Sequence, residues 1–488
     1  MSRTLLSASV AVAVASTLML QAWPASAQTA KQPAGGGHAD LTSISCVSAG
    51  NCAAVGDVLP PGENLAFTIS EKNGHWGKAE KVPGTSALPG GDLEATLATV
   101  SCSSPGNCSA GGNYLQRSHN TQAFVVTEKR GVWGKAKEVP GTAALNTAGE
   151  AFLDLISCRT AGNCTAAGTY SADPDDVDSI WQQVFVVSEK NGTWGRAQAI
   201  PGLVKLNVGD EVFMNALSCG GPGNCTVGGE YEGQNGGQAF VVRQQNGVWG
   251  KVQTFPAIVA ANIGKDASID SLSCRPSGRC TAVGSYRDSD DHPKLFAMNE
   301  TGGTWGPILP FPGMSALPGG GAFSADIESL SCPESGDCTV IGSYADQSEV
   351  SHPYVVAETA GHWGQAQVLP GLSALGVGNF GSFLGVSCLS AGDCTAAGTY
   401  IPDTQTNFGR VFVVSEMNGR WSKAKALPGA VTLSKGNGIF PEALSCGAPG
   451  DCVVGGPYVT RRNPRLQEPF LATQKNGTWG KAQVVPGT

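Results

Sequence analysis

Charge is scarce in this chain: only 14% of its 488 residues are Asp, Glu, Lys or Arg, and the formal balance is −8 at pH 7. A nucleic-acid footprint needs clustered Lys and Arg in a basic chain, so this composition argues against that class. Disorder is argued against as well, because 41% hydrophobic residues with so little charge can supply a buried core. Histidine is rarer still, with six in all and none at a repeated position, which removes the usual zinc-site patterns. Beyond the N-terminal segment no stretch reaches about 18 uninterrupted apolar residues, so no membrane-spanning helix is expected. Helical periodicity of useful length is missing. So are a nucleophile elbow, a zinc-protease motif, a phosphate loop and a dinucleotide fingerprint. Glycine-rich tracts such as Pro318-Gly319-Gly320-Gly321 lack the strand–loop–helix setting of a phosphate cradle. No cofactor and no metal is expected.

What the chain has in quantity is glycine (67), proline (29) and cysteine (16). An even cysteine count in a long Gly-rich chain points to an oxidised, extracytoplasmic protein. The N-terminus agrees. Arg3 is followed by an uncharged apolar stretch from Leu5 to Leu20, and Ala25-Ser26-Ala27 offers the small residues of a cleavage site. Residues 1–27 are therefore expected to be a signal peptide, cut before Gln28, and 28–40 a flexible lead-in.

Residues 41–488 consist of repeats. The cysteines fall into eight C-x5-C pairs: Cys46/Cys52, Cys102/Cys108, Cys158/Cys164, Cys219/Cys225, Cys274/Cys280, Cys332/Cys338, Cys388/Cys394 and Cys446/Cys452. Each first cysteine follows a serine, and each unit carries a later Gly-x-Trp step, from Trp76 to Trp479, before a closing Pro-Gly or similar turn. In the third unit Leu155–Cys158, Cys164–Tyr170, Gln183–Ser188 and Trp194–Ile200 read as four short strands, with Asn191-Gly192 as a hairpin turn. Four strands per unit of this length make a propeller blade. The expected fold is all-β: a β-propeller of eight four-stranded blades in one ring. Two four-bladed rings, or seven blades with an extra sheet, are the competing partitions.

This arrangement resembles secreted bacterial β-propeller repeat proteins. Ser188-Glu189-Lys190-Asn191-Gly192-Thr193-Trp194 is similar to the Asp-box hairpin of sialidase-type propellers, Ser-x-Asp-x-Gly-x-x-Trp, with one residue fewer between Ser and Trp and Asn in place of the acidic turn residue. The resemblance implies a bladed fold. It does not carry over sialidase activity, since no arginine triad or tyrosine nucleophile with an acid partner can be placed.

The C-x5-C pairs suit disulfides local to each unit, with pairing between units as the alternative connectivity. Closing so small a loop contributes roughly 2 kcal/mol per bond by the chain-entropy account. The repeat tryptophans, and tyrosines from Tyr114 to Tyr458 six residues after seven of the second cysteines, suit packing between blades. The Glu five residues before each Trp, replaced by Gln244 and Gln474 in two units, suits hairpin support.

Function is expected on the face opposite the disulfide and Asn-Gly turns, where loops differ most. Candidate ligand-binding residues there are Asp175, Asp176, Asp178 and Trp181 in one loop, Arg287, Asp290 and His292 in another, and Arg461 in a third. A second candidate set lies four residues before the first cysteine, where a first strand enters the central funnel: Asp154, Asp270, Glu328 and Glu442 would be the catalytic carboxylates of a glycosidase or lyase. The leading expectation is a secreted, non-catalytic protein that binds a glycan or cell-envelope polymer. The alternatives are that enzyme and an extracellular protein-interaction scaffold.

Overall fold

A computed structural model describes residues 38–59, 65–90, 94–172, 182–209, 211–263, 265–319, 324–376, 381–402, 408–460 and 467–488. The chain divides into residues 1–35 and a body of 36–488. Among the described residues no helix is long and apolar enough to cross a membrane.

The body contains eight separate antiparallel sheets, each built from consecutive strands of one repeat. In the third, Ala151–Thr160 pairs with Asn163–Ser171, which pairs with Gln182–Lys190. The expected fourth strand is split. Thr193–Trp194 and Gln198–Ala199 both pair with the third strand, and between them Gly195 N–H reaches back to the Ser188 carbonyl. The same split recurs in every blade. In the first blade the opening strand starts at His38, three residues before the expected boundary.

First strands of neighbouring blades touch one another in an unbroken circuit, and the last of them, Ala443–Ala448, touches the first, His38–Ser48. Eight blades therefore form one ring with the first strands innermost. No blade is shared between the chain ends. The ring closes by side-to-side contact, including a bond from Ala79 N–H to the Pro486 carbonyl at 2.6 Å.

The eight disulfides are local to their blades: Cys46–Cys52, Cys102–Cys108, Cys158–Cys164, Cys219–Cys225, Cys274–Cys280, Cys332–Cys338, Cys388–Cys394 and Cys446–Cys452. No free cysteine is present among the described residues, so the alternative of pairing between units falls. In seven blades the two cysteines stand directly opposite each other across the first hairpin. The sixth departs from the expected pattern. Its ladder stops at Ser331 opposite Thr339, so Cys332 and Cys338 join just beyond it. Pro333, which has no N–H to offer a ladder, follows Cys332 there.

The serine before each first cysteine has a defined task. Its Oγ accepts the backbone N–H of the first cysteine of the next blade: Ser45 accepts from Cys102, Ser101 from Cys158, Ser157 from Cys219, and onward to Ser445, which accepts from Cys46. Eight such bonds circle the axis and tie the disulfide ends of adjacent blades, each worth about 1 kcal/mol net.

Blade-to-blade packing accounts for the repeated aromatics. Tyr114 and Tyr344 are buried and donate to the carbonyls of Pro89 and Pro318. Trp133 Nε1 donates to Ser70 Oγ of the preceding blade, and Trp76 does the same to Thr473 across the closure. The Glu before each Trp also works between blades: buried Glu128 accepts from Ser70. The Asn-Gly turn places two residues at positive φ (Asn73 50°, Gly74 79°), as a tight hairpin of this kind requires. Gly74 N–H then bonds the Gly50 carbonyl in the disulfide turn, so both turns share one face.

Candidate functional site

In the first seven blades the residue four positions before the first cysteine is a β-bulge; in the eighth the ladder begins just after it, at Ala443. Pairing of the first and second strands skips one residue between Leu41 and Ser43, and skips again at Ala98, Asp154, Asn215, Asp270, Glu328 and Leu384. An unpaired residue bends its strand and re-aims its side chain. Opposite each bulge stands a glycine, such as Gly168 or Gly342, where a Cβ would collide with a first-strand carbonyl and an aromatic ring of the third strand. The bulge lies toward the variable face, at the mouth of the funnel lined by the first strands.

Neutral bulge residues serve the scaffold. Thr42 Oγ1 donates to the Leu97 carbonyl of the next blade at 2.6 Å, and Asn215 Nδ2 to the Ile269 carbonyl at 3.2 Å. A carboxylate cannot donate in that way, and the acidic bulge residues turn to hydroxyls instead. Asp270 accepts from Ser268 and Ser285. Glu328 Oε1 accepts from Ser343 at 2.6 Å, while its buried Oε2 has no hydrogen-bond partner among the described residues. Asp154 accepts from Thr169.

The four predicted carboxylates do not form one group. Asp270 and Glu328 lie within electrostatic reach of each other on adjacent blades. Asp154 stands apart, with burial pushing its pKa up to about 6 against the Thr169 hydrogen bonds. Glu442 belongs to the ring closure, where desolvation and then Asp40 and Asp57 raise its pKa.

Around Asp270 and Glu328 the fold assembles further residues outside the predicted set. Desolvation, helped by Asp266 and Asp270, pushes Glu230 up to about 7. Burial raises Asp326, with Arg287 opposing it. Asp270 and Glu328 both reach about 7, chiefly through desolvation and despite their serine hydrogen bonds. Tyr354, in the place where seven blades have Phe, is fully buried beneath them and donates to the Asp326 carbonyl at 3.1 Å. Burial holds its phenol well above the ordinary value, so it is not poised to ionise. Phe213 pairs directly with Glu230 and keeps 43% of its surface exposed. Directly paired side chains share a sheet face, so an apolar plate stands beside the acidic group. Its signal lay six residues before the first cysteine, where Phe152, Phe213 and Phe440 replace Asp, Thr or Ser.

Arg287 joins the two predicted sets. Its Nε bonds Asp266 at 2.9 Å, and its charge acts on Asp326. Further out in the same loop, Asp290 and His292 turn around Asp288, whose Oδ1 accepts both their backbone N–H groups. Ligating atoms of these three lie within 4.8 Å of one another. Lys294 bonds the other Asp288 oxygen at 3.0 Å and draws that carboxyl down to about 2, so turn and ion pair account for the cluster. Asp175, Asp176, Asp178, Trp181 and Arg461 lie outside the described residues.

The disulfide cysteines are scaffold and take no part in the funnel mouth. Sequence spacing treats the two members of a pair alike, but the structure does not. Every second cysteine is buried: Cys52, Cys108, Cys164, Cys225, Cys280, Cys338, Cys394 and Cys452. Cys46, Cys158 and Cys332 among the first cysteines are only half-buried. The inner sulfurs meet the preceding blade. A bonded sulfur carries no proton, so the hydroxyl donates: Thr165 to Cys225 at 3.2 Å, Thr226 to Cys280 at 3.6 Å, Thr281 to Cys338 at 3.6 Å and Thr339 to Cys394 at 3.5 Å. Cys52 packs instead with Ile44, Ile69 and Val453 at the ring closure, and Cys452 is buried as well. These bonds therefore staple a hairpin and seat it against its neighbour.

These features define an eight-bladed, disulfide-stapled propeller with an acidic, aromatic-edged funnel mouth on three adjacent blades. No known family profile matches the chain. No curated protein matches it either. Solved structures similar to it include a Hadza microbial sialidase (11% identity, 70% of this chain and 71% of that one, TM-score 0.38). An α-L-arabinanase of Penicillium chrysogenum gives 10% identity over 66% of this chain and 90% of that one, TM-score 0.35. An ulvan lyase gives 10% over 80% and 94%, TM-score 0.42. At these identities the likeness is one of bladed architecture.

Proposed function

We propose that the protein is an exported, non-catalytic binding module for a glycan or cell-envelope polymer, engaged at the funnel mouth of the fourth to sixth blades. The observation that carries this reading is the exposed Phe213 paired with Glu230, in a group of carboxyls whose pKa values burial raises. A flat apolar ring receives a sugar face, and a protonated carboxyl both donates to and accepts from hydroxyls. Arg287 adds a fixed cation. The surrounding loops extend the surface, with Trp181 as a second plate and Asp175, Asp176, Asp178, Asp290, His292 and Arg461 as polar contacts. Export rests on the signal-like residues 1–27 and on the eight disulfides, which persist in oxidising compartments.

The rival reading is a glycosidase or lyase. Such enzymes need two groups whose pKa values are pushed apart, one acid and one base. Here the same cause moves Asp270 and Glu328 in the same direction to about the same value. A shared direction singles out neither residue as acid or base, and recognition needs no such division. A panel of immobilised glycans tests the choice. Retention without product, weakened in Phe213→Ala and Trp181→Ala, is expected. Turnover that vanishes in Asp270→Asn or Glu328→Gln would establish the enzyme instead, and no retention across the panel would leave the interaction scaffold.

A further inference from the structure

The disulfide face is regular in backbone but uneven in charge. The residue just before each hairpin turn is Lys475, Lys72, Lys129 and Lys190 on the eighth, first, second and third blades, which are consecutive around the ring. On the other four blades it is Gln245, Thr301, Thr359 and Met417. Two residues after the repeat Trp the same four blades carry Lys481, Lys78, Lys135 and Arg196, the flanking fourth and seventh blades carry Lys251 and Lys423, and the fifth and sixth have Pro307 and Gln365. All ten cations are exposed. Both rows together occupy the arc of the eighth, first, second and third blades, half of the ring.

The turn lysines are held in position. Lys475 Nζ bonds the Gly74 carbonyl of the next blade's turn at 3.2 Å, and Lys72 Nζ bonds the Gly131 carbonyl at 3.0 Å. One carbonyl uses one of three ammonium donors and leaves the rest for a ligand. The acids near them are accounted for. Lys475, Lys72 and Lys129 act on Glu71, Glu128 and Glu189, each buried, with a pKa that desolvation raises. In the same position relative to Lys190 stands neutral Gln244. Asp451 lies near Glu71, and Glu80 is exposed at the outer edge. At the disulfide turns of the first three blades the residue before the second cysteine is Asn51, Asn107 or Asn163, where the sixth to eighth blades have Asp.

Two clefts open on this arc. One, of about 530 Å³, lies between the eighth and first blades, where Trp76 and Trp479 stand with Lys475, Thr473 and Thr478. The other, of about 460 Å³, lies between the second and third blades, with Lys129, Arg130 and the amides of Asn107 and Asn191. Apolar ring, hydroxyl, amide and ammonium groups together suit a sugar that carries an anion. One turn cation per blade suits a polymer with spaced charges.

We propose that this arc is a second binding surface, separate from the funnel mouth, for an anionic polysaccharide whose carboxylate or sulfate groups meet the turn lysines. The full chain is applied to immobilised polygalacturonate and heparin, with dextran and duplex DNA as comparisons. Retention on one or both acidic polysaccharides, beyond that on dextran or DNA, is expected. It should weaken roughly tenfold or more in the combined variant Lys72→Gln, Lys129→Gln, Lys190→Gln, Lys475→Gln and with rising salt. The charge-keeping Lys→Arg set should restore it. A control removing equal charge from the loops of the opposite face, Lys205→Gln, Lys265→Gln, Lys294→Gln, Lys435→Gln, should retain most of it. Equal loss in both Gln variants, binding to DNA as strong as to the polysaccharides, or no retention of the unaltered protein would overturn the proposal. Funnel-mouth variants such as Phe213→Ala should leave this retention unchanged, which separates the two surfaces.

Discussion

The two ends of each innermost strand follow opposite rules. At the disulfide end the side chains repeat: a serine, a cysteine and a turn, bonded to the next blade in the same way eight times. At the bulge end the backbone repeats, but the side chain is Thr, Ala, Asp, Asn, Asp, Glu, Leu or Glu. A bulged residue is excused from the ladder, so its side chain can change without cost to pairing. The difference teaches where chemistry can be added to a repeat fold: at the position whose geometry is enforced by its neighbours and not by itself.

The sharpest way to break the disulfide end is to open it. Removing one bond, as in Cys158→Ser with Cys164→Ser, should cost about 2 kcal/mol, and reducing all eight should unfold the ring. A chemical denaturation series with and without reductant reads both. An equal midpoint in the two series would show that the serine bonds and packing suffice.

At the bulge end the enforcing neighbour is the glycine. Gly342→Ala should push against the Asp326 carbonyl and Tyr354 and cost about 2–3 kcal/mol. The same change at Gly385, which has open space around its Cβ position, should cost far less, since it removes only glycine's backbone freedom. Thermal melts of the two variants compare them directly.

A smaller effect comes from the carboxyls. Asp270 and Glu328 are held at about 7 in the folded protein against about 4 in an unfolded chain. The folded state therefore holds more protons between those limits. Their contribution to stability is fully present below about pH 4 and is lost as pH rises through 7. Asp270→Asn with Glu328→Gln should remove this slope, gaining on the order of 2 kcal/mol relative to the unaltered protein between pH 4 and pH 8, reduced by water in the funnel. Parallel melting curves across that range would refute the assignment.

Much of the fold was legible because it is written in residue types. Cysteine spacing counted the blades, Asn191-Gly192 marked a hairpin, and the tyrosines and tryptophans signalled packing. The serine before each cysteine was visible as a pattern, but its bond runs to a neighbour about 57 residues away, which spacing within one unit cannot show. The threonine contacts of Cys225, Cys280, Cys338 and Cys394 escaped for the same reason. The bulge was found only as a position. Its side chains range from Ala and Leu to Asp and Glu, and a pairing slip is a property of two strands together. Repeat order alone puts Asp270 and Glu328 on adjacent blades, but that Asp154 stands apart and Glu442 belongs to the ring closure is a property of the folded ring. Phe213 carries a weaker signal than Trp181, because it is an ordinary phenylalanine standing for a polar residue inside the repeat pattern.

The central claim is that the bulge end of the fourth to sixth blades binds while the matching end of the other blades supports. It is tested most directly by equilibrium binding to the best-retained glycan for Phe213→Ala beside Leu384→Ala, with the melting temperature of each recorded. The account predicts loss of binding of about tenfold or more in Phe213→Ala, unchanged binding in Leu384→Ala, and similar melting for both. Equal affinity in the two variants would contradict it.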